Sequence, residues 1–206
     1  MTPTRTKEFR LALETNAERY NLELQPNSIE RLSRYYELLL IWNPRLHLVA
    51  PCSPTEFAKR HVLESLMLQP HLTKDARVAD IGSGAGLPII PNLIVRPDVQ
   101  ATLIEASPKK CVFLREAVAA TGIQQQANVL AKRFEDTEDI DVDFVTCRAL
   151  DRFSELLPAL IDWAPEAATF LFFGGESLRK NLDQMGLKVE AVKVPESERR
   201  WLFVVR

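Results

Sequence analysis

The chain has 206 residues, 46% of them hydrophobic, and a formal net charge of −2. That length and content suit one domain, 1–206, with a full core. No apolar run approaches the ~20 residues of a membrane-spanning helix, and the N-terminus, MTPTRTKEFRLALETN, has no apolar signal segment. A cytoplasmic protein is therefore expected, without a membrane partner. Cys52, Cys111 and Cys147 are odd in number and far apart, with no CxxC pair and no metal-ligand cluster. They read as packed side chains in a reducing compartment, and no metal site is expected. The charge balance does not mark the whole chain as a nucleic-acid binder. Local basic clusters exist at Lys59-Arg60-His61, Lys109-Lys110 with Arg115, Lys132-Arg133, Arg148 with Arg152, and Arg199-Arg200. They would form an RNA footprint only if they met around one cleft.

In chain order, residues 5–72 read as a helical cap. Leu32, Tyr35, Tyr36 and Leu39 recur on one helical face, with Asn27-Ser28 as that helix's start and Asn43-Pro44 as its end. A further helix is expected over 54–69, carrying Phe57, His61 and Glu64. From about residue 76 strands alternate with helices, the pattern of a parallel sheet with crossovers. The first strand leads into Val78-Ala-Asp80-Ile-Gly82-Ser83-Gly84-Ala-Gly86-Leu87-Pro88, and the second, Ala101–Ile104, leads into Glu105. Ser107-Pro108 caps a helix that runs to about Thr121 and ends on Gly122. Strands are expected near 127–131, 143–147 and 168–173, with a helix face at Phe153, Leu156, Leu157 and Leu160 and a short helix over 176–185. Residues 188–194 and 201–206 then form a closing hairpin, which adds an antiparallel strand. The expectation is an α/β class I methyltransferase: Rossmann-like, with a mostly parallel seven-stranded sheet and an antiparallel C-terminal strand. The cap occupies 1–72 and the binding core 73–206.

The glycine loop carries the ligand reading. Three alternate glycines allow a tight turn and close ligand approach. Asp80 precedes them at the strand end, placed to accept hydrogen bonds from the loop or from an amine-bearing ligand. Glu105 ends the next strand 25 residues later, where an acid typically takes ribose hydroxyls. The combination points to S-adenosylmethionine (SAM). A dinucleotide is the rival, but the slot of its third glycine holds Leu87. A plain glycine turn is the third reading.

Further segments support a specific resemblance: Trp42-Asn43, His61-Val-Leu-Glu64-Ser65-Leu66, the run Asp80–Pro91, Leu103–Leu114, Arg133-Phe134-Glu135, and Val145-Thr-Cys-Arg148-Ala149. Over roughly residues 32–206 the chain resembles the RsmG family, also called glucose-inhibited division protein B (GidB), the bacterial 16S ribosomal RNA guanine-N7 methyltransferases. The resemblance implies SAM contacts at Gly82 and Leu87, an acid and a small residue near the ribose at Glu105 and Ala106, an adenine bracket at Phe134-Glu135, and the motif arginine at Arg148. Asp80, Ser83 and Gly84 complete the expected cofactor set. It also implies 16S RNA or the small ribosomal subunit as partner, with no DNA and a monomeric enzyme. Departures stand at His47-Leu48-Val49, at Ile89 and at Glu176; those at His47, Val49 and Glu176 bear on the RNA side.

No Asn/Asp-Pro-Pro-aromatic motif follows the fourth strand, and no Pro-Cys nucleophile stands there; Pro51-Cys52 lies elsewhere. Guanine N7 holds its own in-plane lone pair and needs no base. Arg148, the expected catalytic residue, is open to three roles: a hydrogen bond to guanine O6, an RNA phosphate contact, or a SAM carboxylate contact. A salt bridge to Asp143 or Asp151 is the bland alternative. His61 reads as a core or capping residue before a base, and Trp42 and Tyr35 as core before stacking platforms. Lys109 and Lys110 oppose the dipole of the helix they open, a hint of a phosphate contact. The other functional readings are a SAM enzyme with a different RNA or a small-molecule substrate, and a SAM-binding, ribosome-associated module without catalysis.

Overall fold

The computed structural model describes residues 3–137, 140–148 and 153–206. The N-terminal third is helical. Helix α1 (Pro3–Asn16) tightens into a short turn at Ala17–Tyr20, and α2 spans Pro26–Leu46. Ile29, Leu32, Tyr35, Tyr36 and Leu39 of α2 are all buried, the apolar stripe that the sequence spacing dictates. Both ends of α2 differ from the sequence expectation. Pro26 takes the first helical position, which suits its fixed φ and its missing N–H. At the other end Pro44 lies in the last turn, where its ring removes one intrahelical bond and the helix continues to Leu46. His47 then turns left-handed (φ 50) and its N–H donates to the Asn43 carbonyl at 2.9 Å.

Ser53 caps α3 (Pro54–Phe57), its hydroxyl accepting from the Glu56 N–H at 3.1 Å. The helix widens over Ala58–Leu63 and tightens again over Leu66–His71. This wide turn carries Lys59, Arg60 and His61.

The rest alternates strand and helix: β1 (Arg77–Ile81), α4 (Ile89–Val95), β2 (Gln100–Ile104), α5 (Pro108–Thr121), β3 (Ala127–Leu130), a short turn at Phe134–Asp136, β4 (Phe144–Arg148), α6 (Phe153–Trp163), β5 (Thr169–Gly174), α7 (Glu176–Gln184), β6 (Val189–Lys193) and β7 (Trp201–Val205). The seven strands form one sheet in the order β3-β2-β1-β4-β5-β7-β6. Neighbours are parallel except around β7, which runs antiparallel to both β5 and β6. This is the expected closing hairpin. The caps of α5 also stand where the sequence puts them, at Ser107 and at Gly122 (φ 69).

One sheet face packs against the cap and α5: Phe9, Leu13, Leu32, Tyr35, Tyr36 and Phe57 share a core with Val78, Leu103 and Phe113. The other face, with Ala79, Ile81, Ile104 and Val145, packs against Leu157, Leu160 and Leu182 of α6 and α7. Arg31 of α2 ties the cap to the sheet layer by donating to the carbonyls of Thr121 (2.7 Å), Ile94 (3.1 Å) and Gly122 (3.3 Å). Among the described residues no helix is long and apolar enough to cross a membrane. The strand order reverses between β1 and β4. In such sheets ligands bind in the crevice beyond the carboxyl ends of those strands.

Candidate cofactor and substrate cleft

The glycine loop stands at that crevice. Gly82, Gly84 and Gly86 all have positive φ (65, 52 and 79), and at Gly86 a Cβ would run into the Ile90 side chain, so the turn there needs glycine. The Gly82 and Ser83 N–H groups donate to the Ile104 carbonyl at 2.9 and 3.2 Å, holding the loop against the end of β2. Glu105 clasps it from the next residue. One carboxylate oxygen accepts from the Gly84 N–H at 2.9 Å and the other from the Ser107 N–H at 2.8 Å. Each oxygen keeps a further lone pair. Ala106 beside it is exposed.

Asp80 is fully buried, and neither of its carboxylate oxygens has a hydrogen-bond partner. The Ser83 hydroxyl donates instead to the Asp80 main-chain carbonyl, at 2.9 Å. Burial first pushes the Asp80 carboxyl well above the usual range; the nearby Ser83 hydroxyl opposes that rise and the Glu105 charge adds to it. An ionised carboxylate at that depth without a donor costs several kcal/mol, so the site is short of a donor or a cation. An amine- or cation-bearing ligand group would meet that deficit.

Across the crevice, Arg148 ends β4. Its guanidinium turns toward the helical cap, donating to the Arg60 carbonyl at 2.7 Å and the Ser65 hydroxyl at 3.3 Å. It also pairs with Glu64 at 3.4 Å and lies over the Phe173 ring, 5.6 Å from its centroid. Glu64 is almost completely buried and takes a second arginine, Arg200, at 3.2 Å. Burial raises the Glu64 carboxyl while the two arginines oppose that rise. The salt-bridge expectation for Arg148 is thus corrected. Asp143 pairs with Arg77 at 2.7 Å, and Asp151, with Ala149 and Arg152, lies outside the described residues. His61 sits 3.5 Å from the Arg148 guanidinium and packs on the Phe57 ring. Burial and then Arg148, Arg60 and Arg200 push it down to about 3, so it is a neutral ring at physiological pH and a poor base.

The other sequence candidates divide. Phe134 is buried, edge-on to Trp163, so its side chain belongs to the core, and its carbonyl accepts from the Thr137 N–H (3.0 Å) and hydroxyl (2.6 Å). Glu135 beside it is exposed. Leu87 and Ser83 are buried within the loop's base. Tyr35 is core, as expected. Trp42 packs against Phe113 and donates to Glu116 at 2.9 Å. Cys111 and Cys147 are buried and Cys52 half-buried, none in a disulfide. The departing segment at His47–Val49 is held by Asn43, whose side-chain amide donates to the Val49 carbonyl (3.0 Å) and accepts from its N–H (2.9 Å). Glu176 is exposed on the first turn of α7.

Three residues with site contacts were not singled out from sequence. In sequence Glu64 stands on a helix face and within a motif segment but with no site role, Arg200 stands in a basic cluster, and nothing marks Asn92. Asn92 is fully buried and donates to the Ser65 and Pro88 carbonyls at 2.8 and 2.9 Å, joining the cap to the loop.

A seven-stranded sheet of this order, with a glycine loop after β1 and an acid after β2, defines the class I SAM-dependent methyltransferase fold. Solved structures agree. A SAM-dependent methyltransferase from Aquifex aeolicus superposes with TM-score 0.58 at 16% identity, covering 83% of this chain and 97% of that one. A ribosomal protein L11 methylase from Lactobacillus delbrueckii subsp. bulgaricus gives 0.58 at 15% identity, covering 71% and 78%. The chain belongs to the GidB family, rRNA small subunit methyltransferase G, whose family model matches residues 28–199. A ribosomal RNA small subunit methyltransferase G from Chromobacterium violaceum is 38% identical over 137 residues, 66% of this chain and 65% of that protein. The chain thus spans just under two thirds of that relative's length. One of the same description from Halorhodospira halophila is 32% identical over 89% of this chain and 88% of its own length.

Proposed function

We propose that this chain transfers the methyl group of SAM to N7 of one guanine in 16S ribosomal RNA, acting as a cytoplasmic monomer on RNA and not on DNA. The observation that carries the cofactor half is Asp80, a buried carboxylate with no donor, at the base of a glycine loop. Family membership carries the substrate half. Asp80 binds the methionine ammonium, and the loop, with Gly82, Ser83, Gly84 and Leu87, shapes the wall against which SAM lies. Glu105 holds the ribose through the lone pairs left free by Gly84 and Ser107, with Ala106 beside it. The backbone of Phe134 and Glu135 borders the adenine.

SAM supplies an electrophilic methyl on a sulfonium, and the chain's part is to align it with the nucleophile and exclude water. Guanine N7 presents a lone pair at neutral pH, so no group need remove a proton first. A neutral His61 and an Arg148 kept charged by Glu64 suit that requirement. Arg148 acts where the two substrates meet, its positive charge near guanine O6 or the carboxylate of SAM.

The test is transfer of a tritiated methyl from SAM to 16S RNA and to small subunits lacking the modification, with the product mapped by borohydride–aniline cleavage at N7-methylguanosine. One labelled guanine is the expected result. Label on another RNA or on a small molecule would assign the alternative substrate. SAM binding without transfer to any of them would make the chain a binding module.

A further inference from the structure

Two ion-pair networks span the same joint, between the wide turn at Ala58–Leu63 with Glu64 and the β6–β7 connection at residues 194–200. In the first, Arg148 and Arg200 both pair with Glu64. In the second, Arg19 and Lys59 both pair with Glu196. Among the described residues each network sets two cations against one carboxylate and is one negative charge short. The networks are close enough for one residue to feel both. Tyr20 is pushed up to about 12, first by burial and then by the Glu64 and Glu196 carboxylates. Three basic clusters that lie far apart in sequence, at 59–61, 148 and 199–200, thus meet on one rim that begins beside the cleft. Arg60 is balanced one-to-one by Glu56. Arg199 is exposed next to Arg200, and exposed Glu198 partly offsets it.

We infer that this joint is the docking surface for RNA phosphates, seating the strand that flanks the target guanine. The inference rests on the proposed substrate being RNA. A chain of monoanionic phosphates supplies the charge each network lacks, and it does so without base specificity. Arg148 and Arg200 share Glu64 on the cleft side, and Lys59 and Arg19 share Glu196. Arg19 is the most open of these, its side chain 60% exposed. Glu196 keeps Arg19 and Lys59 ordered in the free protein and competes with a phosphate for them. It sits in the left-handed region (φ 56), where the connection bends.

Glu196 gives the surface a sign test. Arg19→Gln with Lys59→Gln removes the network's cationic excess and with it one phosphate contact. Glu196→Gln frees both cations from their carboxylate. Affinity for naked 16S RNA and for the small subunit is measured by filter binding over a salt series, with SAM affinity by calorimetry and thermal unfolding as the fold check. The double variant should bind RNA about fivefold more weakly near 0.1 M salt, with a log–log salt slope flatter by about 0.7, the value of one lost contact on single strands. Glu196→Gln should bind RNA more tightly than wild type. SAM affinity should not move in either. Arg34→Gln, an exposed α2 arginine paired with Glu30, should leave the salt slope as in wild type. An unchanged slope in the double variant, or no tightening in Glu196→Gln, would overturn the surface while leaving the methyl-transfer reading intact. The expected slopes with no methyl transfer by wild type would sink that reading and keep the surface. Failure of wild type to bind RNA at all would remove both.

Discussion

The Tyr35 hydroxyl donates to the Ala85 carbonyl at 2.6 Å, from the buried face of α2 into the middle of the glycine loop. The cap therefore holds the cofactor loop from behind, and Asn92 makes the parallel link from the far side. Tyr35→Phe leaves the ring in place and the Ala85 carbonyl without its donor. A buried unpaired carbonyl costs about 1–3 kcal/mol, and the loop pays it as lost order. SAM affinity should fall about tenfold and the melting temperature by a few degrees, read by calorimetry and thermal unfolding. Full SAM affinity in Tyr35→Phe would show that the cap does not shape the loop.

Glu105 is a clasp as well as a ligand acceptor. Charge-assisted hydrogen bonds contribute roughly 1.5–3 kcal/mol each, and Glu105→Ala removes those to Gly84 and Ser107 along with the proposed ribose contact. SAM binding should weaken ten- to a hundredfold in Glu105→Ala. Glu105→Gln, which keeps an acceptor oxygen for one of the two N–H groups, should fall between that variant and wild type. Equal losses in the two would mean that charge, not acceptor geometry, holds the ribose.

The strands, the glycine loop and the Ser107 and Gly122 caps were legible because their signals are local: a period, a turn residue, a cap at fixed offset. The β6–β7 hairpin was legible for the same reason. What escaped were pairings between residues far apart in sequence. Arg148 reaches Ser65 across 83 positions, and no spacing rule says which of several acids will meet it. Glu64 read as one position on a helix face, yet it is the anion that two arginines share. No sequence pattern tells which way a lone aromatic in a short turn points, and the Phe134 ring packs edge-on to Trp163. The end of α2 was missed because proline is a strong stop in a helix interior and a weak one in the last turn.

Asp80 makes stability and function oppose each other. Its carboxyl is raised in the folded protein, so the native state binds this proton more tightly than the unfolded chain does. Between the unfolded and the folded values, stability falls as pH rises. Above the folded value the full cost of an ionised, unpartnered carboxylate remains. Asp80→Asn removes that charge. It should raise the melting temperature of the ligand-free protein at neutral pH, with the difference shrinking in acid, where wild type is protonated too. The same variant should lose SAM affinity. Because the ammonium favours the ionised carboxylate, SAM should bind wild type more tightly as pH rises through the Asp80 titration, with proton release visible as calorimetric heats that depend on the buffer. A destabilised Asp80→Asn protein at neutral pH would show that an unseen donor already satisfies the carboxylate.

Arg148 should separate binding from transfer, but only against a background of lost stability. Its side chain is 14% exposed and that of Glu64 2%. Arg148→Ala leaves Glu64 with Arg200 alone, and removing one partner of a buried pair costs about 3–5 kcal/mol. The double variant Arg148→Ala with Glu64→Gln removes the charge that would be stranded, so it should recover part of the melting temperature lost by Arg148→Ala. If Arg148 acts at the meeting point of the substrates, methyl transfer to RNA should stay low in the stabilised double variant while SAM affinity falls by less. Recovery of transfer together with stability would reduce Arg148 to a strut between β4 and the cap. Loss of SAM affinity as deep as in Glu105→Ala would move the arginine into the cofactor site. Single-turnover transfer rates at saturating SAM, beside calorimetric SAM affinities for the same preparations, separate these outcomes.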